Sequence, residues 1–435
     1  MTKRQNDESP KKRRRLKVRN KQEEFYTEEE SNYYQDLPVE EKHMIANLED
    51  RMSDMNNVTI PYRFKILKSD IDDKIKSVAM QKLDELNSLT AGCGEHHKIS
   101  HYIKNLCKIP FGVYKKLGAS EADSAAEFIQ NIKGTMDSRV YGHSKAKDQI
   151  IRLLAQWLVN TESKGLVIGI QGAMGVGKTT LIKDAICNVL GLPFAFVPLG
   201  GVSDGSYLVG HGYTYEGSTW GRIVDILMNC GCMNPVFFFD ELDKVSATKH
   251  GEEIVSVLIH MTDATQNERF HDKYFSNLEF DLSRSLIIFS YNDESAIHPV
   301  LKDRMVKIKT SGYDIKDKLE ICKRHMIASI LKEFGFAPTQ MTFSDEIIKQ
   351  IIKKVDKEQG VRNLKRALHD IISNINLERL LAKEPTTVET PTIIITAKHV
   401  DEFIPESKDD ENISRRLMYI WSFGNISFDF FRPFY

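Results

Sequence analysis

The sequence contains Gly172-Ala173-Met174-Gly175-Val176-Gly177-Lys178-Thr179, which matches the pattern G-x-x-x-x-G-K-[ST] of a phosphate-binding loop without a mismatch. An apolar run from Leu166 to Ile170 precedes it, and apolar residues recur at helical spacing from Leu181 to Val189. The context is therefore strand, loop and helix. In that context the glycines let the backbone curve around a polyphosphate, and the first helical N–H groups point at the anion. The stretch predicts a nucleoside triphosphate site.

Two side chains of this loop are expected to act directly on the nucleotide. Lys178 can reach the outer phosphates, and the Thr179 hydroxyl can hold Mg²⁺, whose coordination is completed by waters and one or two carboxylates. The expected cofactors are therefore ATP and Mg²⁺. The nucleotide-binding set predicted from the loop is Gly172, Ala173, Met174, Gly175, Val176, Gly177, Lys178, Thr179 and Thr180.

A second apolar run, Val236 to Phe239, ends in the carboxylates Asp240 and Glu241. Such a run predicts a buried parallel strand that delivers acids at its C-terminal edge, where ligands bind in open α/β sheets. We expect Asp240 to hold Mg²⁺ through water and Glu241 to polarise the attacking water as general base.

Three further strands complete the prediction of a five-stranded parallel sheet. Phe194–Pro198 is the second strand, and Leu286–Ser290 is another buried strand that ends at Tyr291-Asn292. Asn292 could orient the water against the γ-phosphate, or it could be a plain strand-capping asparagine. Asp303-Arg304-Met305 is expected to open the fifth strand, Val306–Lys309.

The residues before the phosphate loop are expected to lie over the base of the nucleotide. Tyr141-Gly142 precedes an amphipathic helix from Lys145 to Leu158 that leads to the loop. In nucleotide-driven machines this segment commonly lies over the adenine, so Val140 and Tyr141 are the candidate contacts there. Upstream, helical spacing predicts a helical region over 41–134, with Gly134 at the end of its last helix.

Beyond the fifth strand, apolar residues at helical spacing predict a separate, mainly helical lid. Arg362 lies at the start of one of its helices, which places a guanidinium where a lid closing over nucleotide can touch phosphate. The predicted lid elements are helices over Ile315–Phe334, Asp345–Lys354 and Val361–Ala382 and a short strand over Thr392–Thr396.

Length predicts several domains, because 435 residues are too many for one compact core. The predicted division is a disordered charged tail over 1–40, the helical region over 41–134, a large α/β domain over 135–312, the lid over 313–404 and an aromatic-rich tail over 405–435. The six cysteines lack paired C-x-x-C spacing, which favours ordinary reduced thiols over disulfides or zinc.

Charge and hydropathy limit the partners. Sixty Lys and Arg against 61 Asp and Glu give no global electrostatic case for nucleic acid. No apolar stretch reaches membrane-spanning length, and the basic N-terminus lacks an apolar signal core, so we expect an intracellular, cytoplasmic protein without a membrane partner.

The roles of the basic N-terminal tail and of the aromatic C-terminal tail each have alternative interpretations. The basic block Lys11-Lys12-Arg13-Arg14-Arg15 could be a nuclear address or a nucleic-acid tether, with a solvated tail as the alternative. The C-terminal tail either packs on the lid or docks into a partner, since exposed aromatic clusters mark interfaces. Its aromatic residues are Trp421, Phe423, Phe428, Phe430, Phe431, Phe434 and Tyr435.

Several short motifs occur in a fixed order around and after these strands. They are Leu199-Gly200-Gly201-Val202-Ser203-Asp204, Gly210-His211, Thr214-Tyr215, Gly217-Ser218, Asn234-Pro235, Phe239-Asp240-Glu241-Leu242-Asp243-Lys244, Asp303-Arg304-Met305, Ser311-Gly312-Tyr313, Lys323-Arg324-His325 and Gly360-Val361-Arg362-Asn363-Leu364. In this order they closely resemble the ATPase module of Lon proteases, an AAA+ family. The resemblance covers roughly Lys98 to Ile404, including a Lon-like neck at Tyr102 to Gly112.

The resemblance implies further roles. Asn292 falls on the family's sensor 1, Arg362 on its sensor 2, and Arg304 on the arginine finger that acts on nucleotide in the neighbouring subunit. A finger acting in trans implies a ring, and the family forms hexamers. Tyr215 falls on the pore-loop aromatic residue that grips an unfolded polypeptide.

Two departures from the family pattern affect what is expected. Glu216 follows the pore-loop aromatic residue, where the family has an apolar one, which alters grip or substrate charge preference. After Ile404 no motif resembles the Ser–Lys peptidase of Lon, so no peptidase activity of its own is expected, and the N-terminal domain looks reduced to the helices before Gly112.

The function expected from the sequence is ATP hydrolysis by a ring that unfolds, translocates or remodels protein substrates. The resemblance implies that this ring is a homo-hexamer. One alternative is the ATPase part of an ATP-dependent serine peptidase whose peptidase is separate or lost, with that peptidase or an adaptor as partner. A second is a nucleic-acid-stimulated ATPase that uses the block from Lys11 to Arg19. A third, a scaffold that binds nucleotide without turnover, is disfavoured by the complete catalytic set.

Overall fold

The computed structural model describes residues 26–56, 60–69, 71–90, 93–116, 125–159, 166–215, 217–245, 248–355, 358–381 and 393–404. The block from Lys11 to Arg15, the residue Glu216 and the aromatic tail from Trp421 to Tyr435 lie outside the described residues. The described chain forms two compact units. Residues up to 69 together with 78–104 belong to the first, and 70–77 together with the residues from 105 onward belong to the second.

The N-terminal region is helical, as predicted. Its helices are α1 (Glu28–Asp36), α2 (Val39–Asn56), α3 (Tyr62–Lys68), α4 (Asp73–Ser88) and α5 (Gly94–Leu106). The disordered tail predicted for 1–40 is corrected here, because residues 28–36 form α1. The signal was present in the sequence: Thr27 and Glu30 form a capping box, in which each side chain accepts a hydrogen bond from the other's backbone N–H.

The large α/β part of the second unit carries the parallel sheet. Its strands are β1 (Val167–Gln171), β2 (Phe194–Pro198), β3 (Val236–Asp240), the short pair β4 (Phe270–His271) and β5 (Glu279–Phe280), β6 (Leu286–Tyr291) and β7 (Val306–Lys309). Its helices are α6 (Ala125–Arg139), α7 (Ser144–Val159), α8 (Lys178–Thr180), α9 (Asn188–Leu190), α10 (Ser206–Val209), α11 (Arg222–Cys230), α12 (Lys249–Thr262) and α13 (Pro299–Arg304). A π-helical segment, Leu181–Cys187, joins α8 to α9 without a break.

The sheet has five parallel strands in the order β2-β3-β6-β1-β7, which confirms the predicted fold class. β1 and β3 are buried along all but their last residue, and β6 is buried throughout, which explains their continuous apolar runs. Because all five strands run the same way, Gln171, Asp240 and Tyr291 end at one edge. The phosphate loop and the predicted catalytic residues therefore emerge at the same edge.

The structure changes two predicted boundaries. Gly134 does not end a helix, since α6 continues to Arg139, and a Cβ at Gly134 would meet no atom within 4 Å. Arg304 does not open the fifth strand, because it is the last residue of α13, which begins with Pro299 at the first helical position, where proline is favoured. The strand itself starts at Val306, as predicted.

The lid follows the sheet and is mainly helical, as predicted. It contains α14 (Ile315–Ile321), the π-helical segment Cys322–Met326, α15 (Ile327–Glu333), α16 (Asp345–Lys354), α17 (Arg362–Leu381), α18 (Ala397–Phe403) and the parallel pair β8 (Met341–Thr342) and β9 (Ile393–Ile394). Its own apolar core includes Ile330, Ile348, Leu368 and Ile371. Within the part of the chain that the structure describes, no helix has the length and apolar character needed to cross a bilayer.

Candidate nucleotide site

A cleft of about 770 Å³ lies between the C-terminal edge of the sheet and the lid. The sequence-predicted residues that line it are Val140, Tyr141, Met174, Gly175, Gly177, Lys178, Thr179, Thr180, Asp240, Glu241, Asn292 and Arg362. Gly172 and Ala173 line a smaller adjoining pocket together with Met174 and Asn292. The fold thus brings together nearly all the residues that the sequence predicted for the nucleotide.

The phosphate loop connects β1 to the helix that begins at Lys178. Gly175 and Gly177 have positive φ angles of 74° and 86°, a conformation that side chains other than glycine rarely adopt. Val176, which lies between these two glycines, is buried. The loop can therefore present N–H groups to an anion in the way that its sequence predicted.

The amino group of Lys178 donates to acceptors at the ends of two neighbouring strands, β1 and β6. Its Nζ donates to the Gly172 carbonyl at 2.6 Å and to Asn292 Oδ1 at 2.7 Å, with the Tyr291 carbonyl at 3.3 Å. Burial lowers the pKa of Lys178, and the carboxylates of Asp240, Asp243 and Glu241 oppose that shift. Lys178 and Asn292, which lie 114 residues apart in sequence, are thus direct partners at the site.

Asp240 ends β3 and is fixed by a neighbour that the sequence did not single out. The Ser290 hydroxyl donates to Asp240 Oδ1, and the Glu241 N–H donates to the same oxygen at 3.1 Å. Ser290 lies one strand away on β6, so only the sheet register could reveal this contact.

Glu241 adopts a left-handed backbone, with φ 59° and ψ 46°. For a residue other than glycine this conformation is uncommon, and it is found where a structure holds a side chain in a set position. Its carboxylate packs against Gly200, at which a Cβ would overlap Oε2. Gly200 is therefore part of the site, and the glycine-rich passage after β2 was the sequence signal.

The end of the cleft near Tyr141 is closed by aromatic and histidine side chains. The Tyr313 hydroxyl donates to the Val176 carbonyl at 2.9 Å and also lies 3.3 Å from the Tyr141 carbonyl. His143 Nε2 donates to the same Val176 carbonyl at 3.0 Å, and its ring lies 4.9 Å from that of Tyr313. Burial lowers the pKa of His143, which favours the neutral ring. These contacts tie the segment before α7 to the phosphate loop.

The lid reaches the phosphate loop through its backbone. The Val361 N–H donates to the Gly175 carbonyl at 3.1 Å, and a Cβ at Gly175 would lie 3.0 Å from Arg362 Cβ. Arg362, at the start of α17, is thereby placed at the cleft. Four more residues on the same face of α17 line the cleft, one and two turns after Arg362: Lys365, Arg366, His369 and Asp370. They were not predicted from the sequence, although helical spacing from Arg362 indicates them.

Arg304 and Tyr215 do not line this cleft. The Arg304 guanidinium donates to the Ile259 carbonyl and to Asp263 Oδ2, at the C-terminal end of α12. The Tyr215 side chain is 71% exposed, in the segment between α10 and α11. Neither residue is placed to touch a nucleotide bound in its own subunit.

The residues present fit ATP with Mg²⁺. The cleft joins a glycine-rich loop, a lysine and an arginine for phosphates with the Thr179 hydroxyl and Asp240 carboxylate for the cation. Among the described residues, no group of three or more His, Cys, Asp or Glu side chains could hold a metal by itself.

Comparison with known proteins gives the family. Residues 166–313 match the model of the ATPase family associated with various cellular activities (AAA), and residues 332–388 match that of the Lon protease AAA+ ATPase lid domain. A "Lon protease homolog" of Acanthamoeba polyphaga mimivirus is 33% identical over 389 residues, covering 86% of this chain and 36% of the relative.

Two bacterial relatives give the same picture. The "Lon protease" of Clostridium beijerinckii is 32% identical, over 86% of this chain and 46% of its own length, and "Lon protease 1" of Bacillus subtilis is 33% identical, over 78% and 42%. The chain thus spans less than half the length of these relatives. Its family is nevertheless clear from both domain matches and these identities: the chain carries the AAA+ ATPase module of the Lon protease family and belongs to that family.

Proposed function

We propose that this chain hydrolyses ATP and uses the energy to unfold, translocate or remodel protein substrates as a ring. The observation that carries the proposal is the convergence at one sheet edge of Lys178, Asp240, Glu241 and Asn292, with Arg362 supplied by the lid. This is the set that phosphoryl transfer to water needs: positioning, charge stabilisation and a base. A scaffold that only binds nucleotide has no need of a base held beside the phosphate loop.

The loop and Lys178 would bind the phosphates. The contacts of Lys178 with the Gly172 carbonyl and Asn292 Oδ1 keep its amino group at the mouth of the loop. When ATP binds, Lys178 would exchange one of these acceptors for a phosphate oxygen. Asn292 Oδ1 would then be free to accept a hydrogen bond from the attacking water, which is how its sensor role would arise.

Glu241 would act as general base toward that water. Mg²⁺, held by Thr179 and Asp240, would neutralise charge on the phosphates when bound. Ser290 and the Glu241 N–H fix Oδ1 of Asp240, which lines the cleft, so the second carboxylate oxygen would be the one available to Mg²⁺. Val140 and Tyr141 would lie against the adenine of ATP, and Arg362 would contact phosphate from the lid.

Arg304 would serve the nucleotide of the next subunit. In support, its guanidinium lies outside its own cleft and is partly exposed. A residue that acts in trans requires a ring, and we propose a homo-hexamer by analogy with the family. The relatives named above are called Lon proteases, so substrate proteins are the proposed targets.

Tyr215, with Glu216 beside it, is proposed to contact the substrate polypeptide in the pore of that ring. The exposed Tyr215 side chain supports this role. A separate peptidase or adaptor remains a proposed partner. The division into domains at 40, 134, 312 and 404 also remains a proposal, with two amendments: the helices start at residue 28, and α6 crosses the boundary at 134.

A fluorescent protein with an unstructured tag tests the coupling to protein work. With ATP, the wild-type chain should abolish the fluorescence while a denaturing gel shows the substrate at full length. Glu241→Gln should give no loss, because hydrolysis stops. Tyr215→Ala should continue to hydrolyse ATP and leave the fluorescence unchanged, because only the grip on substrate is lost. Fluorescence loss at the wild-type rate with Tyr215→Ala would refute the role of this residue.

A further inference from the structure

Arg304 is held in its own subunit by two contacts at the end of α12. Its Nη2 donates to Asp263 Oδ2 at 2.7 Å, and its Nη1 donates to the Ile259 carbonyl. The Ile259 carbonyl also accepts the Asp263 backbone N–H at 3.1 Å and the Thr262 hydroxyl at 3.1 Å, so Arg304 adds a further donor to it. A cation is favoured at this end of a helix by the helix dipole.

Asp263 is also held by contacts that do not involve the guanidinium. It is the C-cap of α12, and its Oδ1 accepts hydrogen bonds from the Thr265 N–H at 2.8 Å and the Thr265 hydroxyl at 2.6 Å. One carboxylate oxygen therefore belongs to Thr265 and the other to Arg304. These hydrogen bonds from Thr265, with the charge of Arg304, hold the pKa of Asp263 below its ordinary value, so the carboxylate is ionised at neutral pH.

The two contacts leave most of the guanidinium available. A guanidinium has five N–H donors in a fixed plane, and the two contacts with α12 use one on each terminal nitrogen. The side chain of Arg304 is 27% exposed and that of Asp263 is 17% exposed. Arg304 is thus fixed in orientation, with three of its five N–H donors outside these two contacts and its side chain partly exposed.

We propose that Asp263 is a positioning residue for the trans-acting Arg304: with the Ile259 carbonyl, it orients the guanidinium toward the nucleotide of the neighbouring subunit. The inference rests on the proposed function, in which Arg304 acts in trans. A pre-oriented arginine stabilises the transition state without first losing side-chain freedom, so the contact acts on turnover rather than on ATP affinity. Asp263 touches no nucleotide and works only through Arg304.

A double-mutant cycle on the full chain tests the proposal. We expect Asp263→Ala to lower kcat for ATP about tenfold, as the loss of a charge-assisted hydrogen bond implies, with KM for ATP unchanged. Asp263→Asn should fall between it and wild type, because an amide oxygen keeps a hydrogen bond without the charge. Arg304→Ala should lose more activity, and Asp263→Ala should add nothing in that background.

The control is Asp225→Ala, which removes another Arg–Asp pair, Arg222–Asp225, from helix α11. It should leave kcat unchanged. Thermal midpoint and ring size are measured for every variant, and Asp263→Asn replaces Asp263→Ala if the latter does not fold. A purely structural role of Asp263 would lower the thermal midpoint equally with or without Arg304 and would not give the non-additive kcat.

The outcomes separate the inference from the function on which it rests. If Arg304→Ala keeps wild-type turnover, the finger role proposed for Arg304 is wrong. If Arg304→Ala loses turnover while Asp263→Ala keeps or raises it, or if the two losses multiply, Asp263 does not position Arg304 and this inference alone is overturned.

Discussion

At the residue scale, Gly200 decides where the carboxylate of Glu241 can lie. Glu241 is held in a left-handed conformation, and its Oε2 occupies the space that a Cβ at Gly200 would fill. Gly200 itself has no left-handed backbone angle, so its requirement is for space rather than for conformation. The absence of a side chain at Gly200 therefore leaves the space that the carboxylate of Glu241, the proposed general base, occupies.

Gly200→Ala should therefore displace the carboxylate of Glu241 and lower kcat for ATP about tenfold or more, a part of the roughly hundredfold or greater contribution of a general base. ATP affinity should not change, since no phosphate contact is altered. Steady-state hydrolysis and equilibrium binding of ATP measure the two effects separately. Gly134→Ala is the matched control, because its new Cβ meets no atom within 4 Å in α6. Wild-type kcat for Gly200→Ala would contradict this account of the site.

The residues of the site differ in how far the sequence could predict them. Four of them lie at the end of an apolar strand or in the glycine-rich loop that follows one: Lys178, Asp240, Glu241 and Asn292. Because the strands are parallel, their carboxyl ends lie at one edge of the sheet, and this holds for any strand order. Ser290 and Gly200 act by contacts across strands, which depend on the register of the sheet. No local pattern encodes that register.

At the element scale, the segment between α10 and α11 that carries Tyr215 is tied to a buried carboxylate. Asp272 is fully buried; its Oδ2 accepts the Gly221 N–H at 2.7 Å, and its Oδ1 accepts the Tyr274 and Phe275 N–H groups at 2.9 and 3.2 Å. The Trp220 ring lies 5.8 Å from that of Tyr274. The exposed Tyr215 is therefore carried by a segment whose C-terminal end is rigidly anchored.

Burial raises the pKa of Asp272 to about 6, although its three N–H donors act in the opposite direction. A raised pKa means that the folded protein binds this proton more tightly than the unfolded chain does. The contribution of Asp272 to stability therefore falls as pH rises from about 4 to about 6, by about 3 kcal/mol, and is constant above that.

Asp272→Asn removes this titration, because the amide is neutral throughout. We expect the thermal midpoint of wild type minus that of the variant to fall by several degrees between pH 4 and pH 6. Melting both proteins in parallel over this range checks it, and the exposed Asp148→Asn serves as control. A difference that is independent of pH would show that the pKa of Asp272 is not raised in the folded protein.

Element types were predicted well where one periodicity dominates. The sheet strands are short apolar runs, and α7, α16 and α17 follow helical spacing. The prediction failed at Arg304, where Pro299 starts a helix of six residues between a strand and the next, too short for a periodic signal. It also missed the contact of residues 113–115 with the residues just before β3. The Met233 N–H donates to the Val113 carbonyl, the Lys115 N–H donates to Asn234 Oδ1, and Asn234 Nδ2 donates to the Lys115 carbonyl. These two segments lie more than a hundred residues apart in sequence.

At the scale of the whole molecule, the site is shared between the sheet edge and the lid. The Val361 N–H bond to the Gly175 carbonyl joins the two, and Arg362 follows directly. We therefore expect a movement of the phosphate loop on nucleotide binding to displace Val361 and the start of α17. This gives a physical route from ATP hydrolysis to lid movement, which the proposed work on protein substrates requires.

The measurement that tests the central claim most directly compares ATP binding with ATP hydrolysis in wild type, Lys178→Ala and Glu241→Gln. Lys178→Ala should bind ATP at least about tenfold more weakly, because a buried contact to phosphate is lost. Glu241→Gln should bind ATP like wild type but hydrolyse it at least about a hundredfold more slowly, because only the base is removed. Equal loss of binding in both variants, or full hydrolysis by Glu241→Gln, would contradict the account.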